Sequence, residues 1–214
     1  MLFRSSVWFT CLILVAFSLF THGAAAGQTH AFDADFDDRT MRVDYFHTGS
    51  SSEELFGLDR VVSDGAWSGS KTRLVDLTNM GKYLFEVRDL ATDRLMYSRG
   101  FASIYGEWET TGEAREVHRT FHESLRFPWP LRPVRVVLLK REGPNSFEPV
   151  WESEIRPDSR FVYAADRGPG GTVHSVIDNG PPSEKVDLVL VGEGYTAAEE
   201  SKFLADVERL TERL

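Results

Sequence analysis

The sequence of 214 residues contains a single cysteine, Cys11. One thiol forms no internal disulfide, and it excludes a structural zinc site built from several cysteines. Basic residues are also few: 24 lysines and arginines stand against 33 aspartates and glutamates, for a net charge of −9. Nucleic acids and anionic membranes bind basic surfaces, so this charge balance argues against both as partners.

Apolar runs long enough for a permanent membrane span are also missing. The run at residues 7–20 would extend about 21 Å as a helix, which is short of the roughly 30 Å hydrocarbon core of a bilayer. It follows the lone charge of Arg4 and precedes three alanines at residues 24–26. This order is typical of a secretory signal peptide. We therefore predict a signal peptide over residues 1–26, removed together with Cys11, no stable membrane anchor, and a secreted or periplasmic protein.

The middle of the chain has a sequence pattern typical of β-strands. Short segments rich in β-branched and aromatic residues alternate with turn residues, as in an antiparallel sandwich. The predicted strands are residues 40–47, 58–62, 72–77, 82–89, 94–101, 119–127, 134–141 and 147–155. Hairpins are predicted through residues 90–93 and 142–146. The sequence predicts a mainly β fold with a β-sandwich domain over residues 32–165.

The amino-acid composition changes after this domain, where glycine and proline become frequent. Residues 168–171 read GPGG and residues 179–182 read NGPP, which is typical of an extended connector. Only residues 172–177 resemble a strand. We therefore place a connector over residues 166–185.

The last segment, residues 186–214, has the pattern of one strand and one helix. Residues 186–191 (VDLVLV) are almost wholly apolar, as in a parallel strand covered on both faces. Thr196 and Glu199 form a capping-box pattern. The predicted helix presents an apolar face of Phe203, Val207, Leu210 and Leu214. Since a parallel sheet needs several strands, we expect an incomplete α/β unit, the start of a truncated domain; the alternative is a helix docked on the preceding domain.

Two histidines, His118 and His122, have the spacing of the zinc-binding HExxH motif. The residue after His118 is Arg119, so the glutamate that acts as general base is missing. In a strand the two histidines would lie about 13 Å apart, too far to share a metal ion. We therefore assign no catalytic residue, no metal ligand and no cofactor to these 214 residues.

The segment at residues 104–111 places two large aromatic residues, Tyr105 and Trp108, among acidic and hydroxyl groups. Aromatic rings beside hydrogen-bonding groups bind sugars or peptides, so this is the candidate binding surface. The alternative is that both rings pack beneath a loop. Residues 127–130 (FPWP) are interpreted as a rigid strand exit, because proline cannot continue a ladder.

Several ordered blocks of the sequence resemble a known family. They are residues 39–45 (RTMRVDY) with His47, Thr48 and Gly49, and residues 58–63 (LDRVVS), 81–87 (GKYLFEV), 97–111 (YSRGFASIYGEWETT), 119–130 (RTFHESLRFPWP) and 180–196 (GPPSEKVDLVLVGEGYT). In these blocks the chain resembles the secreted zinc metallopeptidases related to immunoglobulin A peptidase. Glu193 departs mildly from that family, which has aspartate between the two glycines.

The resemblance implies an N-terminal β-sandwich accessory domain followed by a metzincin-like catalytic domain. Residues 186–214 would begin that catalytic domain, and the zinc of a full-length parent would be bound beyond Leu214. The implied function is an accessory domain that positions substrate or supports folding, with a protein or peptide substrate cleaved by a missing catalytic region. The alternative function is a noncatalytic secreted module that binds protein or glycan. In either case we expect the 214 residues alone to be inactive.

Overall fold

The computed structural model of the chain describes residues 32–165 and 170–212, so the predicted signal peptide lies outside the described residues. The strands are β1 (Phe36–Gly49), β2 (Glu54–Ala66), β3 (Tyr83–Asp89), β4 (Leu95–Phe101), β5 (Arg119–Pro130), β6 (Val134–Gly143), β7 (Ser146–Ile155) and β8 (Val162–Ala164). The helices are α1 (Phe32–Asp35), α2 (Ile104–Trp108) and α3 (Glu200–Thr211), with short 3₁₀ turns at Glu113–Arg115 and Ala197–Glu199.

The eight strands form two four-stranded sheets. One sheet has the strand order β5-β1-β2-β8 and the other has the order β4-β3-β6-β7. Neighbouring strands are antiparallel except β2 and β8, which run parallel. The predicted mainly β fold is confirmed as a β-sandwich with a small helical part.

Alternation along the strands builds the core between the two sheets. In β3, Tyr83, Phe85 and Val87 are buried, while the residues between them are only half-buried. This period of two is what a strand with one face toward a core requires. The opposite sheet contributes Met41, Val43, Tyr45, Leu125 and Phe127 to the same apolar cluster.

Both predicted hairpins are present. The β3–β4 turn is held by Asp89, whose side chain accepts hydrogen bonds from the backbone N–H groups of Ala91 and Thr92 at 3.1 and 2.9 Å. The β6–β7 turn is tighter than predicted, because β6 continues to Gly143 and β7 already begins at Ser146. Arg141 braces this second turn by donating to the carbonyl oxygens of Gly81 and Pro144 at 2.8 Å each.

The strand predicted at residues 72–77 is wrong, because that segment is a loop lying along the edge of β4. Leu74 is buried and its carbonyl accepts the N–H of Ser98 at 3.0 Å. The next bond of a ladder is replaced by a side chain, since Asp76 accepts the N–H of Gly100 at 2.8 Å. The apolar residues at 72–77 therefore indicate the burial of one side chain, Leu74, and do not indicate a strand.

Strand β5 passes through residues 127–130, so the predicted strand exit is also wrong. Pro128 pairs with Thr40 and Pro130 pairs with Phe36, across a register shift in β1. Proline is tolerated here because β5 is an edge strand with a neighbour on one side only. The three-residue strand β8 was missed, since it is too short to show a period.

The C-terminal segment contains the predicted helix but not the predicted strand. Residues 186–191 form no ladder, and Val186 and Val189 are 95% and 79% exposed. Thr196 and Glu199 make the predicted capping box, with the Glu199 carboxylate accepting the N–H of Thr196 at 3.0 Å. The helix then runs over Glu200–Thr211. Within residues 32–165 and 170–212, every helix is too short or too polar to cross a bilayer.

Candidate functional site

The inward face of β1 carries a titratable side chain at one end of the apolar core. Met41, Val43, Tyr45 and His47 point inward in succession, and all four are fully buried. A buried histidine requires partners for both ring nitrogens, because an unpaired polar group in a protein interior is costly. The neighbouring strands supply them.

Two carboxylates flank the His47 ring. Its Nε2 lies 2.7 Å from Oε1 of Glu54, which opens β2, and its Nδ1 lies 3.1 Å from Oε2 of Glu123 in β5. The Glu123 carboxylate also accepts the hydroxyl of Tyr45 at 2.8 Å. Three strands of one sheet therefore meet at this imidazole.

The opposite sheet reaches the same cluster through Glu54. Tyr83 of β3 donates its hydroxyl to Glu54 Oε1 at 2.5 Å, and Lys140 of β6 donates to Oε2 at 2.6 Å. Lys140 also contacts Glu109 at 3.0 Å, and Glu109 is paired with Lys82. We call His47, Glu54, Glu123, Lys140, Glu109 and Lys82 the buried polar network. It links the two sheets at one end of the sandwich.

Helix α2 closes this end of the sandwich and contains the predicted binding residues. Ser103 caps the helix by accepting the N–H of Gly106 at 2.8 Å. Tyr105 is 0% exposed and stacks on His47 with ring centroids 3.8 Å apart. Trp108 is 9% exposed and packs on Phe121. Both rings therefore belong to α2 and point into the domain, which agrees with the alternative that they are packed inside, although they lie on a short helix and not beneath a loop.

The turn between β1 and β2 fits closely against Tyr105. The tyrosine hydroxyl lies 2.7 Å from the carbonyl oxygens of both Ser50 and Glu53. Gly49 precedes this turn, and a Cβ atom at that position would overlap the carbonyl oxygen of Glu53 and crowd the tyrosine hydroxyl. Glycine is needed here for a close approach of backbone to side chain.

Burial and pairing pull the pKa values of the network in opposite directions. Burial alone raises the pKa of Glu54, but hydrogen bonds from His47, Lys140 and Tyr83 outweigh it and lower the pKa to about 2. For His47, burial lowers the pKa, whereas the hydrogen bonds to Glu123 and Glu54 raise it, and the net pKa is raised. Burial and the carboxylates of Glu54 and Glu109 raise the pKa of the Tyr105 hydroxyl to about 12.

Chemically, the network consists of paired charges. Two surface clefts lie elsewhere, one beside Asp76 and Phe147 and the other between β2, β7 and β8 beside Phe161, and no residue of the network lines either cleft. Its carboxylates accept hydrogen bonds from tyrosine, lysine and histidine rather than facing an opening. The arrangement is suited to fixing two sheets and a helix together.

The histidines of the HExxH-like spacing are separated, as the strand geometry predicts. His118 contacts Glu53 at 3.0 Å, whereas His122 contacts Asp59 at 3.1 Å on the outer face of the sheet. Within the described residues, His122, Asp59 and Asp44 form one group with metal-ligating atoms close together. Both oxygens of Asp44 accept guanidinium groups, Oδ1 from Arg42 at 2.8 Å and Oδ2 from Arg60 at 3.0 Å, so the group does not fit a zinc ion.

No role in a site was assigned from the sequence to His47, Glu54 or Lys140, although His47 belongs to a block of family resemblance. His47 carried a usable signal, since it occupies the inward position two residues beyond Tyr45 in an otherwise apolar alternation. A polar residue at such a position requires a partner. Its partners Glu54 and Glu123 lie on two other strands, β2 and β5, and no local spacing in the sequence connects them to His47.

Comparison with known protein families separates the chain into two matched regions. A family described as Peptidase M64 N-terminus matches residues 31–152, which cover β1 to β6 and most of β7. A family described as IgA Peptidase M64 matches residues 175–214, which include helix α3. A search of curated proteins finds no match. Because the first match alone covers more than half of the chain, and the second continues in the same family, the chain belongs to the peptidase M64 family.

Proposed function

We propose that residues 32–165 are the N-terminal accessory domain of an exported zinc metallopeptidase, and that residues 186–214 begin its catalytic domain. The observation that carries this proposal is the tandem order of the two family matches, N-terminal region first and peptidase region second. The gap between the matches, residues 153–174, contains the end of the β-sandwich and the first of the two Gly/Pro-rich stretches, residues 168–171. A domain boundary there is consistent with both the matches and the fold.

The C-terminal segment supports the same proposal. Its apolar residues have the pattern of a buried strand, yet Val186, Val189 and Val191 are 95%, 79% and 84% exposed. Exposed apolar runs of this kind are typical of an interaction surface. We propose that residues 186–191 pair with further strands of a catalytic domain.

The accessory role follows from what the β-sandwich offers. Its buried polar network consists of matched charges, and the group of His122, Asp59 and Asp44 does not fit zinc. The 214 residues contain no HExxH sequence. We propose that the zinc would be held by other residues of the catalytic domain, where it would supply Lewis-acid chemistry for peptide hydrolysis. The contribution of residues 32–165 is to position a protein substrate or to support folding. The N-terminal sequence pattern supports export.

The test begins with the coding DNA after Leu214, read in all three frames for an HExxH codon pattern. If the pattern is present, the complete protein is produced with and without residues 32–165, and its zinc-dependent peptidase activity and soluble yield are measured. Loss of affinity for a protein substrate identifies substrate positioning, and loss of soluble yield identifies folding support. Unrelated sequence after a genuine stop codon overturns the proposal, as does full activity and yield without the β-sandwich.

A further inference from the structure

The buried polar network contains an imidazole with an acceptor at each end. His47 Nε2 lies 2.7 Å from a Glu54 oxygen and Nδ1 lies 3.1 Å from a Glu123 oxygen. A neutral histidine has one N–H donor and one lone pair, so it satisfies only one of two ionised carboxylates. This geometry requires either an imidazolium or a protonated carboxylic acid.

The other contacts of the two carboxylates favour their ionised forms. Glu54 also accepts from Tyr83 and from Lys140, at 2.5 and 2.6 Å. Glu123 also accepts the hydroxyl of Tyr45 at 2.8 Å and the backbone N–H of Tyr105 at 3.3 Å. Hydrogen bonds donated to a carboxylate stabilise its charge. The proton therefore belongs on the imidazole.

Charge balance leads to the same assignment. The network contains three carboxylates, Glu54, Glu109 and Glu123, but only two ammonium groups, Lys82 and Lys140. A third positive charge makes the cluster neutral, which reduces the cost of burying it. The aromatic neighbours of His47 also suit a cation, since the rings of Tyr105 and Phe56 lie 3.8 and 4.3 Å from the imidazole.

We propose that His47 is a proton-operated link: as an imidazolium it binds Glu54 and Glu123 at once, and loss of its proton releases α2 from the end of the sandwich. The groups facing it are Glu54 from β2, Glu123 from β5 and Tyr45 from its own strand. Tyr83 from β3, Tyr105 from α2 and Lys140 from β6 complete its surroundings. This inference is independent of the peptidase proposal.

The longer of the two contacts determines what opens. A neutral His47 retains one N–H, and the shorter contact to Glu54 is the stronger, so Glu123 loses one of its three donors and keeps the Tyr45 hydroxyl and the Tyr105 N–H. Weaker binding at Glu123 acts on Tyr105, whose backbone N–H it accepts and whose single hydroxyl proton is shared between the carbonyl oxygens of Ser50 and Glu53. Helix α2 and the β1–β2 turn are therefore the parts that loosen.

The direction of the pH response follows from the raised pKa of His47. Its contribution to stability is complete below the ordinary value of 6.5 and is lost as the pH rises through the higher folded value. The link is closed below pH 6.5 and opens as the pH rises through the raised pKa of His47.

The direct test is NMR of the full chain labelled with ¹⁵N-histidine. The His47 ring is identified by the loss of its signal in His47→Gln, or by its contacts with the Tyr105 ring if that variant does not fold. At pH 6 both ring nitrogens should carry protons, with a titration midpoint above 6.5. A His47 ring with one protonated nitrogen at pH 6 overturns the proposal.

Hydrogen exchange tests whether the proton controls α2. After correction for intrinsic exchange, the protection of the Tyr105 and Gly106 amides should fall across the His47 titration, by about tenfold for each unit by which its folded pKa exceeds 6.5. In Glu123→Gln, which keeps the side-chain shape, this pH dependence should shrink and the His47 midpoint should fall. The matched control His122→Gln, at an exposed histidine paired with Asp59, should leave both unchanged. Constant α2 protection across the titration overturns the link.

Discussion

Strand β6 and residues 186–191 are two apolar segments of similar sequence character with opposite outcomes. In β6, Val134, Val136 and Leu138 are 0% exposed, and the strand pairs with β3 on one side and β7 on the other. In the C-terminal segment, Val186 and Leu188 are 95% and 64% exposed, and residues 186–191 form no ladder.

The difference shows that an apolar segment needs a neighbouring strand to bury its side chains. It becomes a strand only where such a neighbour accepts and donates the backbone hydrogen bonds. A single extended segment has no hydrogen-bonding partner for its backbone and nothing against which to bury its side chains. The local signals of α3, by contrast, are satisfied within a few residues of sequence, and the helix forms at its predicted position. Helical signals are local and strand signals are not.

The strongest test of this comparison is amide hydrogen exchange along the whole chain. Central strands open only with energies near the global stability, about 5 kcal/mol or more, while unpaired segments exchange freely. Amides of β6 should therefore be protected at least about a thousandfold more than those of residues 186–191. Equal protection in the two segments would contradict the difference between them and indicate that residues 186–191 are paired in solution.

A matched pair of leucine truncations compares the two segments energetically. Leu138→Ala leaves a cavity in the core and should destabilise the β-sandwich by about 2–5 kcal/mol. Leu188→Ala removes an exposed side chain and should change stability by less than about 0.5 kcal/mol. Urea unfolding followed by circular dichroism measures both. A large effect of Leu188→Ala would show that this residue is buried in solution.

Low pH should affect the stability of the β-sandwich but not residues 186–191. The pKa of Glu54 is lowered from 4.5 to about 2, so its stabilising contribution is present above 4.5 and is lost as the pH falls through 2. We expect the β-sandwich to lose on the order of 2 kcal/mol over this range from Glu54 alone. Urea unfolding between pH 5 and 2 measures the loss.

The control for the acid experiment is Glu54→Gln, which removes the titrating group from the buried polar network. This variant is expected to start less stable and to show a shallower dependence on acid. Residues 186–191 should be unaffected, since they have no burial to lose. An acid dependence as steep in Glu54→Gln as in the parent would assign it to other carboxylates.

The sequence predicted seven of the eight strands and helix α3, but not the site. Phe85 and Val87 alternate with charged residues, and this local pattern can be recognised from the sequence alone. The buried polar network is different, because Glu54, Glu123 and Lys140 come together only through strand pairing and sheet packing. Their separations along the chain carry no pattern.

The predictions for residues 72–77 and for the segment of Tyr105 and Trp108 differ from the structure for related physical reasons. The segment at residues 72–77 contains one core side chain, Leu74, and its ladder position is taken by the Asp76 carboxylate. For Tyr105 and Trp108 the alternative of inward packing agrees with their burial, but the segment is a one-turn helix capped by Ser103 and not a loop. In both segments side chain to backbone hydrogen bonds contribute to the local structure.

The smallest expected loss of stability, apart from the Leu188→Ala control, concerns the helix that follows the unpaired segment. Thr196→Ala removes the capping residue of the turn that leads into α3 and should destabilise the helix by about 1 kcal/mol. The protection of α3 amides should fall about fivefold, while β6 amides remain unchanged. Thr110→Ala is a suitable control, because its hydroxyl bonds a carbonyl beside α2 and lies far along the chain. A response in β6 would mean that the two regions are coupled.

Strand β5 has a consequence for handling the protein. As the edge of its sheet it exposes a line of backbone groups to passing strands, and edges of this kind promote aggregation unless they are blunted. Pro128 and Pro130 offer no N–H to an incoming chain, so they interrupt sheet extension at one end of this edge. Residues 186–191 have no proline, and their exposed valines and leucines combine high β-propensity with little charge. Self-association of this chain should therefore begin at residues 186–191 and not at the long edge of the sandwich.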